Sequence, residues 1–310
     1  MRIVLTGGAG FIGSNVADAL VKQGHQLLVI DDLSSGVASQ VPATARLEQA
    51  DIRSEAAAKA VTAFRPEVLM HHAAQMDVRK SVENPRFDAD VNLGGLLNLL
   101  EAARGHGLGK VIFASSGGAM YGEPEIYPAP ETHRVAPLSP YGVAKASSEL
   151  YLESYRQMYG LPYVALRYGN VYGPRQRKDG EAGVVAIFGS RLLEGKACTI
   201  YGDGKQTRDY VYVGDVVEAN LKALATSATG GFNVGTAIET DVNALYAMVA
   251  KAAKVDAKPV HAPARTGEQA RSVLAIAKAK AVLGWEPKMP LAQGIERTVQ
   301  WIRTGEMPKA

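Results

Sequence analysis

The sequence predicts an α/β protein with a doubly wound parallel sheet and a smaller mixed α/β region. Short apolar, β-branched runs alternate with helical segments through the first half of the chain. A glycine-rich turn at residues 6–13 joins the first such run to the first helix. Strands separated by helices pair in parallel through right-handed crossovers, and buried parallel strands are almost wholly apolar, as residues 111–114 are. These observations together favour a Rossmann-type sheet.

The elements of the first half follow from these local patterns. Strands are expected at residues 2–6, 26–31, 46–50, 67–71, 110–115 and 162–167. Helices are expected at residues 11–24, 54–64, 85–105 and 140–160. Each strand is thus followed by a helix or a connection long enough for a crossover.

The second half of the chain has a different sequence pattern from the first half. Residues 174–183 are polar and glycine-rich, which predicts a loop. Beyond it we expect helices at 184–194, 213–226, 241–253, 278–283 and 291–303, a hairpin-like segment at 199–213, a strand at 232–234 and an irregular stretch at 259–272. We therefore predict a nucleotide-binding Rossmann domain at 1–172, with returning segments near 213–250, and a mainly substrate-binding domain at 173–310.

Composition argues against several classes of protein. The chain has 310 residues and a formal net charge of +3, without a dense Lys/Arg run, so nucleic acid is not an expected partner. No stretch approaches the ~20 apolar residues of a membrane span. The single cysteine, Cys198, permits no internal disulfide and fits a reducing compartment. The start is too short for a signal peptide, so we expect a cytoplasmic protein.

The glycine turn has the spacing of a dinucleotide-binding loop. Gly7, Gly10 and Gly13 stand where a strand becomes a helix, which permits a tight turn and close approach of backbone to pyrophosphate. The helix N-terminus adds free N–H groups and a partial positive charge. Asp31 ends the second strand, where a carboxylate meets the adenosine ribose and would repel a 2′-phosphate, which favours NAD over NADP.

The three aspartates at positions 31, 32 and 51 also have an alternative interpretation. Asp31 and Asp32 also suit a helix cap or a turn. Asp51 and Ile52, after the third strand, are placed to hold the adenine, although a helix N-cap explains Asp51 almost as well.

Tyr141 and Lys145 form the candidate catalytic pair. Their i, i+4 spacing puts both side chains on one face of the predicted helix. A phenol loses its proton only near pH ~10, so a neighbouring ammonium is needed to make it a base near neutrality. Beside a nicotinamide, such a phenolate takes a proton from a sugar or alcohol hydroxyl while the carbon gives up hydride.

The chain resembles the extended short-chain dehydrogenase/reductases, most closely the UDP-glucose (UDP-galactose) 4-epimerases. The resemblance covers essentially the whole length. The matching stretches are residues 6–13, 31–36, 51–53, 72–75, 115–122, 141–145, 167–173 and 202–213.

The resemblance implies a role for each matching residue. Tyr141 would be the acid and base, and Lys145 would lower its pKa and bind the nicotinamide ribose. The implied cofactor-binding residues are Gly7, Gly10, Phe11, Ile12, Gly13, Asp31, Asp32, Leu33, Ser35, Gly36, Asp51, Ile52, Ala73, Ala74, Gln75, Asn92, Ser115, Tyr141, Lys145 and Tyr168. The implied substrate-binding residues are Asn170, Val185, Thr199, Tyr201, Arg208, Arg265, Glu268 and Ser272. A homodimer through helices 85–105 and 140–160 is implied as well.

The sequence departs from the family at the hydroxyl that usually completes the catalytic triad. Counting back from Tyr121, that position falls on Gly117, so either Ser116 supplies the hydroxyl after a backbone shift or a water does; we favour Ser116. The related 4,6-dehydratases need an extra acid and base just after this point. Gly118 and Ala119 supply neither, which leaves oxidation and reduction at one carbon.

These features predict NAD-dependent 4-epimerisation of UDP-glucose and UDP-galactose through a 4-keto sugar. Ser272, small where restricted epimerases carry a bulky residue, predicts room for the acetylated GlcNAc/GalNAc pair. A UDP-glucuronate 4-epimerase, a nucleotide-sugar reductase and a non-catalytic NAD-binding regulator are the alternatives. No metal site is expected, because His71-His72 lacks companion ligands. Trp285 and Trp301 are expected in the core.

Overall fold

A seven-stranded sheet in which every neighbouring pair is parallel forms the centre of the molecule. The structure is a computed structural model and describes residues 1–178, 183–264 and 269–308. The sheet comprises β1 (Arg2–Thr6), β2 (Gln26–Asp31), β3 (Arg46–Gln49), β4 (Val68–His71), β5 (Lys110–Ser116), β6 (Tyr163–Tyr168) and β11 (Gly230–Val234). Their order, β11-β6-β5-β4-β1-β2-β3, reverses direction at β1, which is the doubly wound arrangement.

Helices cover both faces of this sheet. They are α1 (Phe11–Lys22), α2 (Glu55–Phe64), α3 (Val78–Glu83), α4 (Pro85–Ala89), α5 (Gly95–Arg104), the short α6 (Gly117–Met120), α7 (Pro140–Tyr159) and α9 (Val213–Ala225). One apolar cluster joins the sheet to α1 and α9, and a second joins its other face to α2, α5 and α7. The predicted fold class is confirmed, and the strands of the first half begin and end within about a residue of expectation.

The long helix expected at 85–105 is interrupted. α4 and α5 run on from each other through a π-helical segment, Asp90–Gly94, which contains Asn92. One extra residue in a helical turn redirects side chains, and such segments recur at functional sites. Gly95 accommodates the packing, since a Cβ there would lie 2.4 Å from Ile52 Cδ1.

The second half contributes three small sheets. Its strands are β7 (Asn170–Tyr172), β8 (Thr199–Tyr201), β9 (Thr207–Arg208), β10 (Tyr210–Tyr212), β12 (Thr240–Asp241), β13 (Val260–Ala262) and β14 (Arg271–Ser272). The hairpin expected at 199–213 is wrong, because β8 pairs with β13, β9 with β12 and β14, and β10 with β7. The stretch 259–272, expected to be irregular, contains β13 and β14.

A third apolar cluster lies in the second half, among α8 (Val184–Leu193), α10 (Val242–Ala253) and α11 (Leu291–Thr304). Cys198 is buried in it, as expected for a small apolar residue. Trp285 is fully buried against α9, where its Nε1 donates to the carbonyl of Asp215, whereas Trp301 is only partly buried. A five-residue π-helical segment, Ala279–Leu283, replaces the short helix expected there. No helix in the described ranges is long and apolar enough to cross a membrane.

Candidate active site

The glycine turn between β1 and α1 is shaped to take a ligand against its backbone. Gly7 has φ +68°, and a Cβ on it would lie 2.7 Å from the nitrogen of Ala73. A Cβ on Gly13 would lie 2.1 Å from the carbonyl oxygen of Gly7. A positive φ and contacts this short admit only glycine. The turn therefore brings backbone, rather than side chains, to the carboxyl edge of the sheet.

The first turn of α1 is open to an anion. Within the described part of the chain, no side chain caps it, and its N-cap is Gly10. Phe11 and Ile12, the first helical residues, are half-buried and pack their side chains against apolar clusters. Uncapped N–H groups and the helix dipole suit a pyrophosphate, so this end of α1 fits the predicted dinucleotide.

Asp31 lies at the carboxyl end of β2, beside the glycine turn. Its Oδ2 accepts from the N–H of Ala9 and its Oδ1 from the N–H of Leu33, both at 2.9 Å. Burial raises the pKa of this carboxyl, and the two backbone bonds oppose the rise. Gly36 packs directly over it, since a Cβ on Gly36 would lie 2.8 Å from Asp31 Oδ1. A fixed carboxylate here fits the ribose of NAD.

The neighbouring predicted cofactor residues fall on the same edge. Asp32 is exposed and accepts from the N–H and hydroxyl of Ser34, which makes it a turn residue. Ser35 is exposed, and its carbonyl accepts from Arg177 at 2.8 Å.

Residues Asp51 and Ile52 follow β3. Asp51 binds Arg53, whose guanidinium lies 2.6 Å away and lowers the pKa of the carboxyl. The cap of α2 is Ser54, not Asp51, and its hydroxyl accepts from the N–H of Ala57. Ile52 is buried against Gly95.

The loop after β4 is tied to the π-helical segment. Gln75 donates its backbone N–H to Asn92 Oδ1 at 2.9 Å, and Asn92 donates back to the carbonyl of Gln75 at 3.0 Å. Ala73 donates its N–H to Thr6 Oγ1, and Ala74 is half-buried between these two anchors. The three predicted loop residues and Asn92 thus form one hydrogen-bonded frame beside the glycine turn.

Tyr141, Ser116 and Lys145 come together at the carboxyl end of β5. The Ser116 hydroxyl lies near enough to the Tyr141 phenol to oppose the rise in its pKa, and it accepts from the N–H of Ala119, which caps α6. The Lys145 ammonium lies 5.7 Å from the centroid of the Tyr141 ring and donates to the carbonyl of Ala114 at 2.8 Å. α7 begins at Pro140 behind the Ser139 cap, which sets Tyr141 in its first turn.

The surroundings of Tyr141 and Lys145 shift the pKa values of the two side chains in opposite directions. Burial, and then the charge of Asp88, raise the pKa of Tyr141 to about 12, while the bond from Ser116 works against that rise. Burial lowers the pKa of Lys145 to about 8, and the charges of Asp88 and Glu149 oppose the fall. The phenol is therefore protonated near neutrality, and its ionisation calls for positive charge beside it.

A buried polar network beneath the pair was missed from the sequence. Ser115 donates to Glu149 at 2.6 Å, so its hydroxyl serves this network. Arg167 binds both oxygens of Glu149 and donates to the Tyr121 hydroxyl at 2.8 Å, which in turn donates to Asn233. The signal was available, because Glu149 follows Lys145 by one helical turn on the same face.

The space beside Gly117, where the catalytic hydroxyl was expected by resemblance, is filled by the side chain of Leu274. A Cβ on Gly117 would lie 2.7 Å from two side-chain carbons of Leu274. A Cβ on the next residue, Gly118, would lie 3.3 Å from Ser272 Oγ. The segment after β14 therefore packs directly on the turn that follows Ser116.

Most of the predicted substrate residues that the structure describes lie on short strands of the second half. Ser272, which is buried, pairs with Arg208 in the register of β14 and β9. The Arg208 guanidinium donates to the carbonyl of Thr207 at 2.8 Å. Arg265 and Glu268 lie outside the described residues.

The other predicted substrate residues within the described ranges lie on β7, β8 and α8. Thr199 and Tyr201, both half-buried, belong to β8. Asn170, at the start of β7, donates its N–H to the carbonyl of Asp209 at 2.7 Å. The side chain of Val185, on α8, is buried in the third apolar cluster.

Two histidines at the end of β4 are neutral: His71, the last residue of the strand, is buried, and His72, the next residue, is half-buried. Burial, and then the charge of Lys145, lower the pKa of His71 to about 3 and that of His72 to about 4. His71 Nδ1 lies 3.0 Å from Thr6 Oγ1, and His72 Nε2 lies 3.4 Å from the hydroxyl of Tyr168, which also accepts from Asn220. In the described ranges, no three His, Cys, Asp or Glu side chains are grouped so as to hold a metal ion.

The fold and this edge of the sheet define a class of dinucleotide-dependent enzyme in which a tyrosine and a lysine on one helix stand beside the cofactor. The model of the NAD-dependent epimerase/dehydratase family matches residues 3–235. The chain belongs to this family. It is an NAD-dependent enzyme of the isomerase class.

Individual proteins are similar over nearly the full length. The UDP-glucose 4-epimerase of Mycolicibacterium smegmatis is 45% identical over 309 residues, which cover 98% of this chain and 99% of that one. The crystal structure of the Thermotoga maritima UDP-glucose 4-epimerase with UDP-glucose superposes with a TM-score of 0.96 at 46% identity, covering 98% and 99% of the two chains. The Thermus thermophilus UDP-glucose 4-epimerase in complex with NAD gives 0.94 at 47% identity, covering 99% and 100%.

Proposed function

We propose that this enzyme interconverts UDP-glucose and UDP-galactose by 4-epimerisation through a transient 4-keto sugar. One observation carries the proposal: Ser116, the Tyr141 phenol and the Lys145 ammonium come together at the carboxyl end of β5, with Lys145 one turn after Tyr141 on α7. The substrate class is supported by the Mycolicibacterium relative's name and by the UDP-glucose in the Thermotoga structure.

Tyr141 is the group that moves the proton. Its ionised oxygen takes the proton of the sugar 4-hydroxyl and later returns a proton to the same oxygen of the sugar. The glycine turn and Asp31 would hold NAD, which when bound would supply the hydride acceptor and donor for C4 on either face of the sugar. The Ser116 hydroxyl stabilises the phenolate by hydrogen bonding, and the Lys145 cation stabilises it by charge.

Lys145 has a second role in this scheme. An ammonium carries three N–H bonds, so the bond to the Ala114 carbonyl leaves it able to bind the nicotinamide ribose as well. It thereby holds the cofactor and favours the phenolate at once. Loss of its proton would remove both effects.

The 4-keto sugar must rotate in the site while the nucleotide stays bound. We assign the diphosphate to Arg208, whose guanidinium can make paired bonds to phosphate oxygens. Asn170 would bind the diphosphate or the sugar, and Thr199 and Tyr201 would run along the uracil. Arg265 for the diphosphate and Glu268 for the uridine ribose rest on family resemblance.

Ser272 sets the size of the sugar in this proposal. It is paired with Arg208 and lies against Gly118 at the turn after Ser116. A small side chain at this point leaves room for an N-acetyl group, so turnover of UDP-GlcNAc and UDP-GalNAc is expected. Assays with both acetylated sugars test it, and activity confined to the plain hexoses would remove the argument from pocket size.

The chemistry stops at oxidation and reduction of C4. Loss of water across two carbons needs a further acid and base beside the sugar. Gly118 and Ala119, the residues after Ser116 and Gly117, carry no ionisable group. The same turn that holds Ser116 thus makes a 4,6-dehydratase an unsuitable assignment.

The test uses the purified protein without added cofactor. Denatured protein should release NAD, and native protein should convert UDP-galactose to UDP-glucose, followed by separation of the two sugars. Tyr141→Phe should lower kcat by about 10²–10⁴-fold while the protein still carries NAD.

Other outcomes separate the alternatives. Consumption of added NADH or NADPH would identify a reductase, and turnover of UDP-glucuronate alone would identify the other epimerase. A protein that binds NAD but turns over none of these sugars would be a regulator, and the proposal would fail.

A further inference from the structure

Glu149 and Arg167 form a buried ion pair that the reaction above does not use. Glu149 lies on α7, one turn after Lys145, and Arg167 lies on β6. Arg167 Nη2 is 2.7 Å from Glu149 Oε2 and Nε is 3.0 Å from Oε1, and the Arg167 and Glu149 side chains are 12% and 7% exposed. Gly231 makes room for the guanidinium, since a Cβ there would lie 2.8 Å from Arg167 Cζ. Because a buried ion pair often adds no more stability than an apolar pair would, the geometry that it imposes is the more informative property.

The ion pair holds both ends of the turn that carries Ser116. Ser115, the residue before it, donates its hydroxyl to Glu149 Oε1 at 2.6 Å. Tyr121, the residue after α6, accepts from Arg167 Nη1 at 2.8 Å. The carboxylate thus binds the start of the turn, and the guanidinium binds its end.

This turn has little to hold it in place by itself. α6 has four residues, which is too short for an independently stable helix. Two of its residues, Gly117 and Gly118, give the backbone extra conformational freedom. The packing of Leu274 on Gly117 restrains the middle of the turn, and the hydrogen bonds to the ion pair restrain its two ends. The position of the Ser116 hydroxyl therefore depends on contacts with other segments.

The same ion pair fixes the turn relative to the catalytic helix. Tyr141, Lys145 and Glu149 are spaced by four residues on α7, so they share one face. Beyond the ion pair, Tyr121 donates to Asn233 Oδ1 at 2.8 Å, which joins the network to β11. Hydrogen bonds to charged groups are stronger than those between neutral groups. The turn, α7 and the sheet are therefore connected firmly through one buried pair of charges.

We propose that Glu149 and Arg167 are a pair of positioning residues for the reaction. Through their bonds to both ends of the turn, they hold the Ser116 hydroxyl in place beside Tyr141. The inference rests on the proposed function, in which Ser116 stabilises the phenolate. The ordering of the turn by the ion pair is a separate property that can be measured without a substrate.

The kinetic test removes one bond of the ion pair and determines whether the loss acts through Ser116. Tyr121→Phe keeps the ring but loses the hydroxyl that accepts from Arg167. It should lower kcat for UDP-galactose by about tenfold with KM unchanged, because a small misplacement of a catalytic group is costly. In a Ser116→Ala background, the same change should lower kcat by less than about twofold, since no hydroxyl is left to position. Equal losses in the two backgrounds would show general structural damage and overturn the proposal, as would a Tyr121→Phe variant as active as the parent.

Tyr155→Phe is the matched control for the loss of a buried tyrosine hydroxyl. Tyr155 lies in the second half of α7, is buried, and donates to Glu101 Oε1 at 2.6 Å. Losing this hydroxyl should leave kcat unchanged in both backgrounds, and a pattern of losses like that of Tyr121→Phe would contradict the proposal. Ser115→Ala removes the bond at the other end of the turn and should repeat the result of Tyr121→Phe. It carries the test if Tyr121→Phe does not fold.

Hydrogen exchange measures the ordering of the turn without any sugar. Mass spectrometry follows the amides of residues 117–120, among them that of Ala119, which donates to Ser116 Oγ. Loss of one hydrogen bond to the ion pair should speed their exchange by about tenfold in Tyr121→Phe, but not in Tyr155→Phe. Unchanged exchange in Tyr121→Phe would overturn the proposal. A parent protein that epimerises no sugar would defeat the proposed function only, because the exchange rates still decide whether the ion pair orders the turn.

Discussion

Leu274 occupies the space that a side chain on residue 117 would need. A Cβ on Gly117 would lie 2.7 Å from both terminal carbons of Leu274, which is 1% exposed and packs with Tyr121 and Ala129. Ala129 in turn forms a parallel bridge with Leu274. The glycine at the position where the family usually has a hydroxyl is thus matched by a leucine from the far end of the chain, and the proposed mechanism therefore uses the hydroxyl of Ser116.

Restoring a hydroxyl at residue 117 should therefore destabilise the protein. Gly117→Ser should lower the free energy of unfolding by about 1–3 kcal/mol, because it overpacks a filled site. In a Leu274→Ala background, the same change should cost little. Denaturant unfolding of the parent, both single variants and the double variant measures this coupling. Equal costs in the two backgrounds would show that Leu274 is not the obstacle.

Ser116 should affect the rate more than the affinity. Ser116→Ala removes the hydroxyl that we propose stabilises the Tyr141 phenolate, and a hydrogen bond to an ionised group is worth about 1.5–3 kcal/mol, so kcat should fall by about tenfold or more. KM for the UDP-sugar should stay near its parental value.

Ser116→Thr keeps a hydroxyl and is the matched control, since Ser116 also caps α6. Steady-state kinetics of the two variants, with thermal melts to separate loss of the cap, make the comparison. If Ala and Thr are equally slow, the hydroxyl is not what matters.

The accuracy of the predicted fold depended on how far apart in the sequence the contacting segments lie. The strands of the first half are continuous apolar runs joined by helices, so their local patterns were enough. The strands β8, β9 and β10 have two or three residues each and pair with distant segments. Local sequence does not encode such partners, and the interval 199–213 was therefore misassigned as a hairpin.

The same distinction between local and distant contacts applies to the residues of the candidate site. Gly7 and Gly13 have fixed backbone demands, and Tyr141 and Lys145 have a helical spacing, so both pairs were found from the sequence. The packing of Leu274 against Gly117 was not, because it joins segments that are far apart in the chain.

His71 and His72 should make the protein labile to acid. Their pKa values in the fold, about 3 and about 4, lie below the ordinary value of 6.5. As the pH falls below 6.5, the unfolded chain binds protons that the folded protein refuses, so stability present above pH 6.5 is lost progressively toward these lower values. Between pH 7.5 and 5, the loss should be on the order of 2 kcal/mol for each of the two histidines.

The measurement is the free energy of unfolding at both pH values. His71→Asn keeps a group near Thr6 Oγ1 but does not titrate, so its stability should depend less on pH than that of the parent. His106→Gln, on the surface, is the control. A parent and a His71→Asn variant with the same pH dependence would contradict the assignment of His71 as a source of acid lability.

The exposed face of α7 should hold two copies of the chain together. Val143, Leu150 and Met158 are 49%, 72% and 60% exposed, and their spacing of seven and eight residues places them on one side of the helix. Aligned apolar side chains of this size are characteristic of an interface, so we expect a homodimer. Leu150→Glu should shift it to monomer, because dimerisation would then bury an unpaired charge.

Val282→Glu makes the same change on another exposed apolar residue and should leave the dimer intact. Sedimentation velocity over a range of concentrations distinguishes these cases, and a parent protein that is monomeric throughout would exclude this interface.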